Sequence, residues 1–140
     1  MEVKQYKKYH RKHKIKKNEN SSYRMRDLKK GFYGLKLIES GIVTPAQLET
    51  ARRIITRITK RTSKIYINVC CNHPLTKKPL LSRMGKGSGS INSWISYVKK
   101  GKIIIEVKEV SKKLIFLAFK AVQRRIPIKM FIIKREVIDA

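Results

Sequence analysis

The charge of this chain constrains its fold more than any other feature. The 140 residues include 35 Lys and Arg but only 9 Asp and Glu, which gives a formal net charge of +26. Self-repulsion on this scale opposes compaction of a small domain. We therefore expect a polyanion against its surface, and nucleic acid is the commonest one. Hydrophobic residues still make up 41% of the chain, enough for a core, so we predict a compact domain with a basic surface.

The sequence argues against several other classes of protein. No apolar run approaches the roughly 20 residues that span a bilayer, and the N-terminus lacks the apolar stretch of a secretory signal. Cys70 and Cys71 are adjacent, which favours reduced thiols in an intracellular compartment over a strained disulfide. Adjacent cysteines are also poor ligands for one tetrahedral zinc, so we predict no metal site and no cofactor.

Residues 1–30 are predicted to form a basic N-terminal arm. Residues 6–17 hold nine Lys, Arg and His among twelve residues, with Tyr6 and Tyr9 between them. Interleaved cations and aromatic rings suit an arm that packs on RNA backbone and bases, although a solvated tail is the alternative. The predicted RNA-binding residues of the arm are Lys7, Lys8, His10, Arg11, Lys12, His13 and Lys14.

Residues 31–140 are predicted to form a single α+β domain, in which a small mixed or antiparallel sheet packs with two helices. Thr44, Pro45 and Gln47 have the spacing of a capping box with proline at the first helical position, so a helix is predicted from there to about residue 61. The other predicted elements are strands over 31–39, 64–70, 91–98, 102–107 and 128–134, a hairpin between 91–98 and 102–107, a loop over 72–90, and a helix from Ser111 to about residue 125.

The helix over 45–61 has two faces. Leu48, Ala51, Ile55 and Ile58 recur at helical spacing and are predicted to face the core. In the second helix, the predicted core face consists of Leu114, Leu117, Ala118 and Ala121, and Phe119 and Val122 widen it. Cys70 is predicted to face the core from its strand. The opposite face of the first helix carries cations with almost no acidic partner, so we predict phosphate contact for Arg52, Arg53, Arg57, Lys60 and Arg61. A charged face that contacts only solvent is the alternative.

The predicted loop contains a run of alternating glycines. Gly85, Gly87 and Gly89 would let the backbone approach a ligand closely, and Arg83 and Lys86 supply charge. The spacing matches neither a P-loop nor a dinucleotide fingerprint. The alternatives from the loop alone are a flexible surface segment or a basic finger that enters folded RNA.

Since no nucleophile, base and orienting group can be nominated anywhere, we predict no catalytic residue and no enzymatic activity.

A set of short motifs extends over nearly the whole chain. In order, they are Tyr6–Arg11 with His13-Lys14, Gly31–Lys36, Thr44 with Gln47–Glu49 and Ala51–Arg53, Thr56-Arg57, Lys60-Arg61, Pro74–Pro79, Arg83–Gly87, Trp94 and Pro127–Lys129. Together they resemble the large-subunit ribosomal protein sixteen family of bacterial and organellar ribosomes. The resemblance implies an α+β structural protein that binds the large rRNA beside the central protuberance, near 5S rRNA, aminoacyl-site tRNA and neighbouring large-subunit proteins.

The resemblance also implies roles for particular segments. The match to the family's rRNA-facing helix is residues 51–61. The loop that points towards tRNA and the peptidyl-transferase region is matched by Lys77, Lys78, Arg83, Met84, Gly85, Lys86 and Gly87.

The chain departs from the family pattern at several places. Ser88 stands where the family has a second lysine, and Cys70–His73 replaces Phe-Pro-Asp. This drift, with the abundance of Ile and Lys, predicts an organelle-encoded member in the mitochondrial matrix, with a plastid as the second choice. A free basic nucleic-acid-binding regulator is the alternative function, and it would need an element that reads base edges.

Overall fold

The computed structural model describes residues 27–85, 87, 89–108 and 111–135. Seven strands and two helices occupy this part of the chain. In chain order they are β1 (Tyr33–Leu37), β2 (Gly41–Val43), α1 (Pro45–Ile58), β3 (Lys64–Ile67), β4 (His73–Lys77), β5 (Ser90–Val98), β6 (Ile103–Lys108), α2 (Lys112–Gln123) and β7 (Met130–Lys134). The predicted α+β class is confirmed.

The strands form two small sheets in which every pair is antiparallel. The first sheet has the order β3-β6-β1-β7 and the second the order β2-β5-β4. Strand β6 is buried over almost its whole length. Its side chains join those of β1, α1 and α2 in one apolar cluster, with Leu35, Ile55, Ile105 and Phe119 fully buried at its centre. Both helices are therefore held by the same core.

The predicted hairpin between β5 and β6 is wrong. Gly101 does make a turn there, with φ of 82°, but β5 pairs with β2 and β4 while β6 pairs with β1 and β3. The chain thus crosses from one sheet to the other at this turn. A tight turn fixes the local chain direction but does not determine which strands pair, because pairing also depends on apolar surface from distant segments.

Two further local predictions are corrected. Residues 73–77 form strand β4 within the segment predicted as a loop, and Pro74 is tolerated because β4 is an edge strand. The exposed cysteine is Cys70, whereas Cys71 is buried and its thiol lies 3.5 Å from the carbonyl oxygen of Val43. Burial raises the pKa of the Cys71 thiol.

The buried face of α2 also differs from the prediction. Ile115, Ala118, Phe119 and Val122 are buried, while Leu114 and Leu117 are exposed. Because apolar residues occur on most sides of this helix, their spacing is compatible with two overlapping apolar faces. Packing against the sheet determines which of the two faces is buried. Ser111 does occupy the N-cap position, but its side chain makes no capping hydrogen bond.

Candidate nucleic-acid interface

The N-terminus of α1 forms as predicted and fixes the direction of its exposed face. The hydroxyl of Thr44 accepts from the backbone N–H of Gln47, and the Gln47 side chain accepts from the backbone N–H of Thr44 at 3.0 Å. Leu48, Ala51 and Ile55 are buried. The register of the helix then leaves the predicted cations on the outer side.

The five predicted cations of α1 and its C-terminal turn lie together on one surface. All five are exposed. They surround a shallow cleft of about 430 Å³, here called the α1 cleft, which is lined by Arg52, Arg53, Thr56, Arg57, Lys60 and Arg61. Because five of its six lining residues are cations and the sixth is a threonine, the cleft suits an extended anion such as a phosphate backbone.

Two of these cations have an acidic partner, contrary to the sequence prediction. The Glu49 carboxylate accepts two hydrogen bonds from Arg52, at 2.7 and 2.9 Å, and one from Nε of Arg53 at 3.0 Å. These charged donors lower the pKa of Glu49 to about 2. Arg57, Lys60 and Arg61 have no carboxylate partner among the residues that the structure describes.

The end of α1 holds two cations in an unusual backbone conformation. Lys60 and Arg61 have φ of 50° and 65°. The N–H of Lys60 donates to the carbonyl of Arg57 at 3.2 Å, and that of Arg61 donates to Thr56 at 3.0 Å. These are the two bonds of a Schellman motif, in which glycine usually takes the first position after the cap. Here lysine occupies it, so a cation is placed at the helix end despite backbone strain.

A second concave surface lies between the helices. This interhelical groove has a volume of about 700 Å³ and is lined by Thr50, Arg53, Ile54, Arg57, Ile58, Ala121, Arg124 and Arg125. The sequence analysis did not nominate Arg124 and Arg125, which follow α2 and are exposed. The available signal was their position after the last helical residue, at the helix end that cations favour.

The glycine-containing loop is a separate basic element. Leu80, Leu81 and Met84 are almost fully exposed, as is typical of a projecting tip. Lys78 Nζ donates to the carbonyl oxygen of Gly85 at 2.6 Å and bridges the two sides of the loop. Gly85 adopts φ of 101°, which favours glycine.

The structure describes three of the four other predicted loop residues. Lys77, Arg83 and Gly87 are exposed, with Gly87 at φ of 84°. Lys86 lies outside the described residues.

A buried carboxylate fixes the backbone at residues 29–31, around the predicted boundary between arm and domain. Glu106 on β6 is 2% exposed, and its Oε2 accepts from the backbone N–H groups of Lys29, Lys30 and Gly31 at 2.7–3.1 Å. Its Oε1 accepts from Asn68 Nδ2 at 2.6 Å. Burial raises the pKa of Glu106, but the four donors outweigh it and lower the pKa overall.

Several predictions fall outside this geometry. The arm residues Lys7, Lys8, His10, Arg11, Lys12, His13 and Lys14 lie outside the described residues, and the boundary between arm and domain stays a prediction. In the described ranges, no group of three or more His, Cys, Asp and Glu is placed to hold a metal ion. The helices found in these ranges are too short or too polar to cross a membrane.

Comparison with known proteins gives the family. The sequence model of "Ribosomal protein L16p/L10e" matches residues 4–133. The chain belongs to this family. It is 47% identical over 105 residues to the large ribosomal subunit protein uL16 of Buchnera aphidicola subsp. Baizongia pistaciae, covering 74% of this chain and 77% of the relative. The uL16 proteins of Buchnera aphidicola subsp. Cinara cedri (42% over 108 residues; 77% and 79% covered) and Wigglesworthia glossinidia brevipalpis (45% over 98; 70% and 72%) are also similar.

Membership in the L16p/L10e family explains the distribution of charge. The chain is a structural constituent of the large ribosomal subunit rather than an enzyme. Proteins of the family bind large-subunit rRNA and other ribosomal proteins. A large excess of cations suits a protein that binds RNA, because Lys and Arg neutralise its phosphates.

Proposed function

We propose that the α1 cleft binds the phosphate backbone of large-subunit rRNA beside the central protuberance, close to the aminoacyl-tRNA site. The observation that carries this proposal is the convergence of Arg52, Arg53, Arg57, Lys60 and Arg61 on one cleft. Three of these cations have no carboxylate partner in the described part of the chain. RNA phosphates would neutralise them, since unpaired like charges repel one another at short range.

The other basic elements have proposed roles in the same site. The arm, through Lys7, Lys8, His10, Arg11, Lys12, His13 and Lys14, contacts rRNA near 5S rRNA or the organellar structure in its place. The loop, through Lys77, Lys78, Arg83, Met84, Gly85, Lys86 and Gly87, extends towards aminoacyl-site tRNA. Exposure of Arg83 and Met84 supports this role, because neither side chain is used in packing.

Sedimentation tests the rRNA proposal. We expect the chain to co-migrate with large subunits of a mitochondrial lysate and to be released by high salt. The affinity of the protein for large-subunit rRNA is then measured as a function of salt concentration. In the double variant Arg57→Gln/Lys60→Gln, the magnitude of the slope of log affinity against log salt is expected to fall by about two. Lys112→Gln/Lys113→Gln is the matched control, because it removes two exposed cations from α2. Equal losses in both variants would contradict a specific role for the α1 cleft.

Location in the mitochondrion is a separate part of the proposal. Fractionation followed by mass spectrometry is expected to recover the chain in the large-subunit peak of mitochondria. Recovery from plastid ribosomes would contradict the mitochondrial assignment while leaving the rRNA site intact. Recovery as an unbound protein or with DNA would instead support the basic-regulator alternative.

Contact of the loop with tRNA is testable by directed cleavage. An iron chelate attached at Arg83→Cys, in a Cys70→Ser background that removes the exposed native thiol, would generate hydroxyl radicals near the loop tip. We expect cleavage of aminoacyl-site tRNA in reconstituted ribosomes. A chelate at Lys113→Cys serves as the control, and cleavage of tRNA from that position alone would reject the assignment.

A further inference from the structure

The interhelical groove combines an aliphatic floor with a cationic rim. Ile54 and Ile58 lie one turn apart on α1, are partly buried and pack against the core cluster. Ala121 on α2 completes the floor and is also partly exposed. Because these three side chains belong to packed helices, the floor is a preformed surface. The α1 cleft has no comparable aliphatic floor.

Arginines line the groove on two opposite sides, here called its banks. Arg53 and Arg57 belong to α1, and Arg124 and Arg125 follow α2. Arg53 donates through Nε to Glu49, and its terminal Nη groups have no acceptor among the described residues. The other three arginines have no carboxylate partner in the same ranges. The groove therefore offers guanidinium groups to an anion from two sides.

Helix dipoles explain only part of this arrangement. Arg57 in the last turn of α1 and Arg124 at the cap of α2 lie where cations stabilise helix ends. That effect does not require a second arginine beside each, nor an open aliphatic floor between the banks. A ligand that carries anions at both ends and a flat apolar surface in the middle would use all of these features.

We propose that the interhelical groove holds a single nucleotide extruded from a helix of large-subunit rRNA. The base lies on Ile54, Ile58 and Ala121, and its two flanking phosphates contact the arginines of opposite banks. A volume of about 700 Å³ falls within the range of small-ligand sites. Unstacked RNA bases are commonly held on flat side chains, including arginine planes. This inference rests on the proposed rRNA binding and adds the kind of RNA element recognised.

Thr50 adds a polar group at the edge of the groove. Its hydroxyl donates to the carbonyl oxygen of Ala46 at 2.8 Å, so the oxygen still has a lone pair to accept a hydrogen bond. A base amino group at the groove edge would supply that donor. An acidic peptide, the main competitor for such a groove, would satisfy the arginines but would not place a flat ring on the floor.

The test compares two RNA hairpins with the full-length protein at 150 mM salt. One has a fully paired stem, and the other contains a single unpaired 2-aminopurine in the same stem. We expect the bulged RNA to bind roughly tenfold more tightly, because the extruded base removes apolar surface of the aliphatic floor from water. We also expect the 2-aminopurine fluorescence to rise as the base leaves the stack. Equal affinity for the two hairpins would overturn the proposal.

Variants separate the floor from the rim. Ala121→Leu fills the floor and is expected to abolish the preference for the bulge, by lowering the affinity for the bulged RNA to that for the paired stem. Thr50→Leu, at an exposed helical position, narrows the groove from the other side and gives the same readout if Ala121→Leu does not fold. Arg124→Gln/Arg125→Gln is expected to weaken binding of both RNAs and to reduce the salt slope by about two, more than Lys112→Gln/Lys113→Gln does.

The outcomes distinguish this proposal from the broader one. Loss of all RNA binding, with no co-migration with large subunits, would reject the proposed function itself. Tight RNA binding without a bulge preference would overturn only the nucleotide site. Competition by a short peptide of Glu and Leu, again without a bulge preference, would assign the groove to a neighbouring protein and overturn the proposal.

Discussion

Lys60 is expected to lower the stability of the folded domain while it places a positive charge at the end of α1. It adopts φ of 50° at the first position after the cap of α1, where a Schellman motif normally has glycine. We predict that Lys60→Gly stabilises the folded domain relative to Lys60→Ala, although both remove the same cation. The comparison with alanine isolates the backbone, because both variants lack the charge and the long side chain.

The expected difference follows from two opposing terms. A left-handed backbone costs a residue with a Cβ roughly 1–2 kcal/mol. This cost is partly offset, because glycine loses more conformational freedom on folding than alanine does. That loss destabilises the glycine variant by roughly 0.5–1 kcal/mol. The two ranges differ by about 0–1.5 kcal/mol, so the glycine variant should be more stable than the alanine variant by about 0.7 kcal/mol. For a domain of this size, this difference corresponds to a rise in Tm of about 2–5 °C.

Urea unfolding followed by the fluorescence of Trp94, the single tryptophan, measures this difference. Urea is preferable to guanidinium because it leaves the charge repulsion of this basic chain unscreened. Binding to large-subunit rRNA should weaken equally in both variants, with the salt slope reduced by about one relative to wild type. A glycine variant no more stable than the alanine variant would refute the strain argument. A difference in RNA affinity between them would show that backbone geometry at residue 60, rather than charge, determines binding.

Three further perturbations are informative. Glu106→Gln should destabilise the domain by about 2 kcal/mol at pH 7, because three backbone donors lose a charged acceptor. Since the folded pKa of Glu106 is lowered, its contribution is complete above its unfolded pKa and is lost as the pH falls through the folded one. Urea midpoints should therefore fall less for the variant than for wild type between pH 5 and pH 3, and parallel curves would contradict this. Gly89→Ala should destabilise by about 1–3 kcal/mol, because the new Cβ would overlap the backbone of Lys77; an unchanged urea midpoint would show that β4 and β5 can move apart there. Iodoacetamide should modify Cys70 rapidly and Cys71 only in denaturant, and mass spectrometry after tryptic digestion that finds both labelled in native protein would contradict the described burial.

The parts of the fold that were predictable depend on local signals. The capping box of Thr44 and Gln47 lies within four residues, and α1 begins where it indicates. The cations of α1 follow from that register, so the α1 cleft was largely predictable. Glu49 was not recognised as a partner of Arg52, because an ion pair one turn apart also occurs on surfaces without function.

The parts that failed depend on distant segments. Strands β5 and β6 flank a turn at Gly101 that has the sequence of a hairpin, yet their partners come from elsewhere in the chain. Glu106 lies between Ile105 and Val107 in sequence, and nothing local reveals that the amides of residues 29–31 reach it. The interhelical groove needs Arg57 and Arg124 from two helices, so it is visible only once the packing is known.

The central position of β1 determines when the chain can finish folding. Leu35 on β1 pairs with Ile105 of β6 on one side and with Ile132 of β7 on the other. During synthesis the first of these strands is made long before either partner, and such non-local pairing is slow. Both its edges are then open to pairing with other chains. Mutual repulsion between highly cationic nascent chains opposes that encounter, so the net positive charge also delays aggregation until the last strand is made.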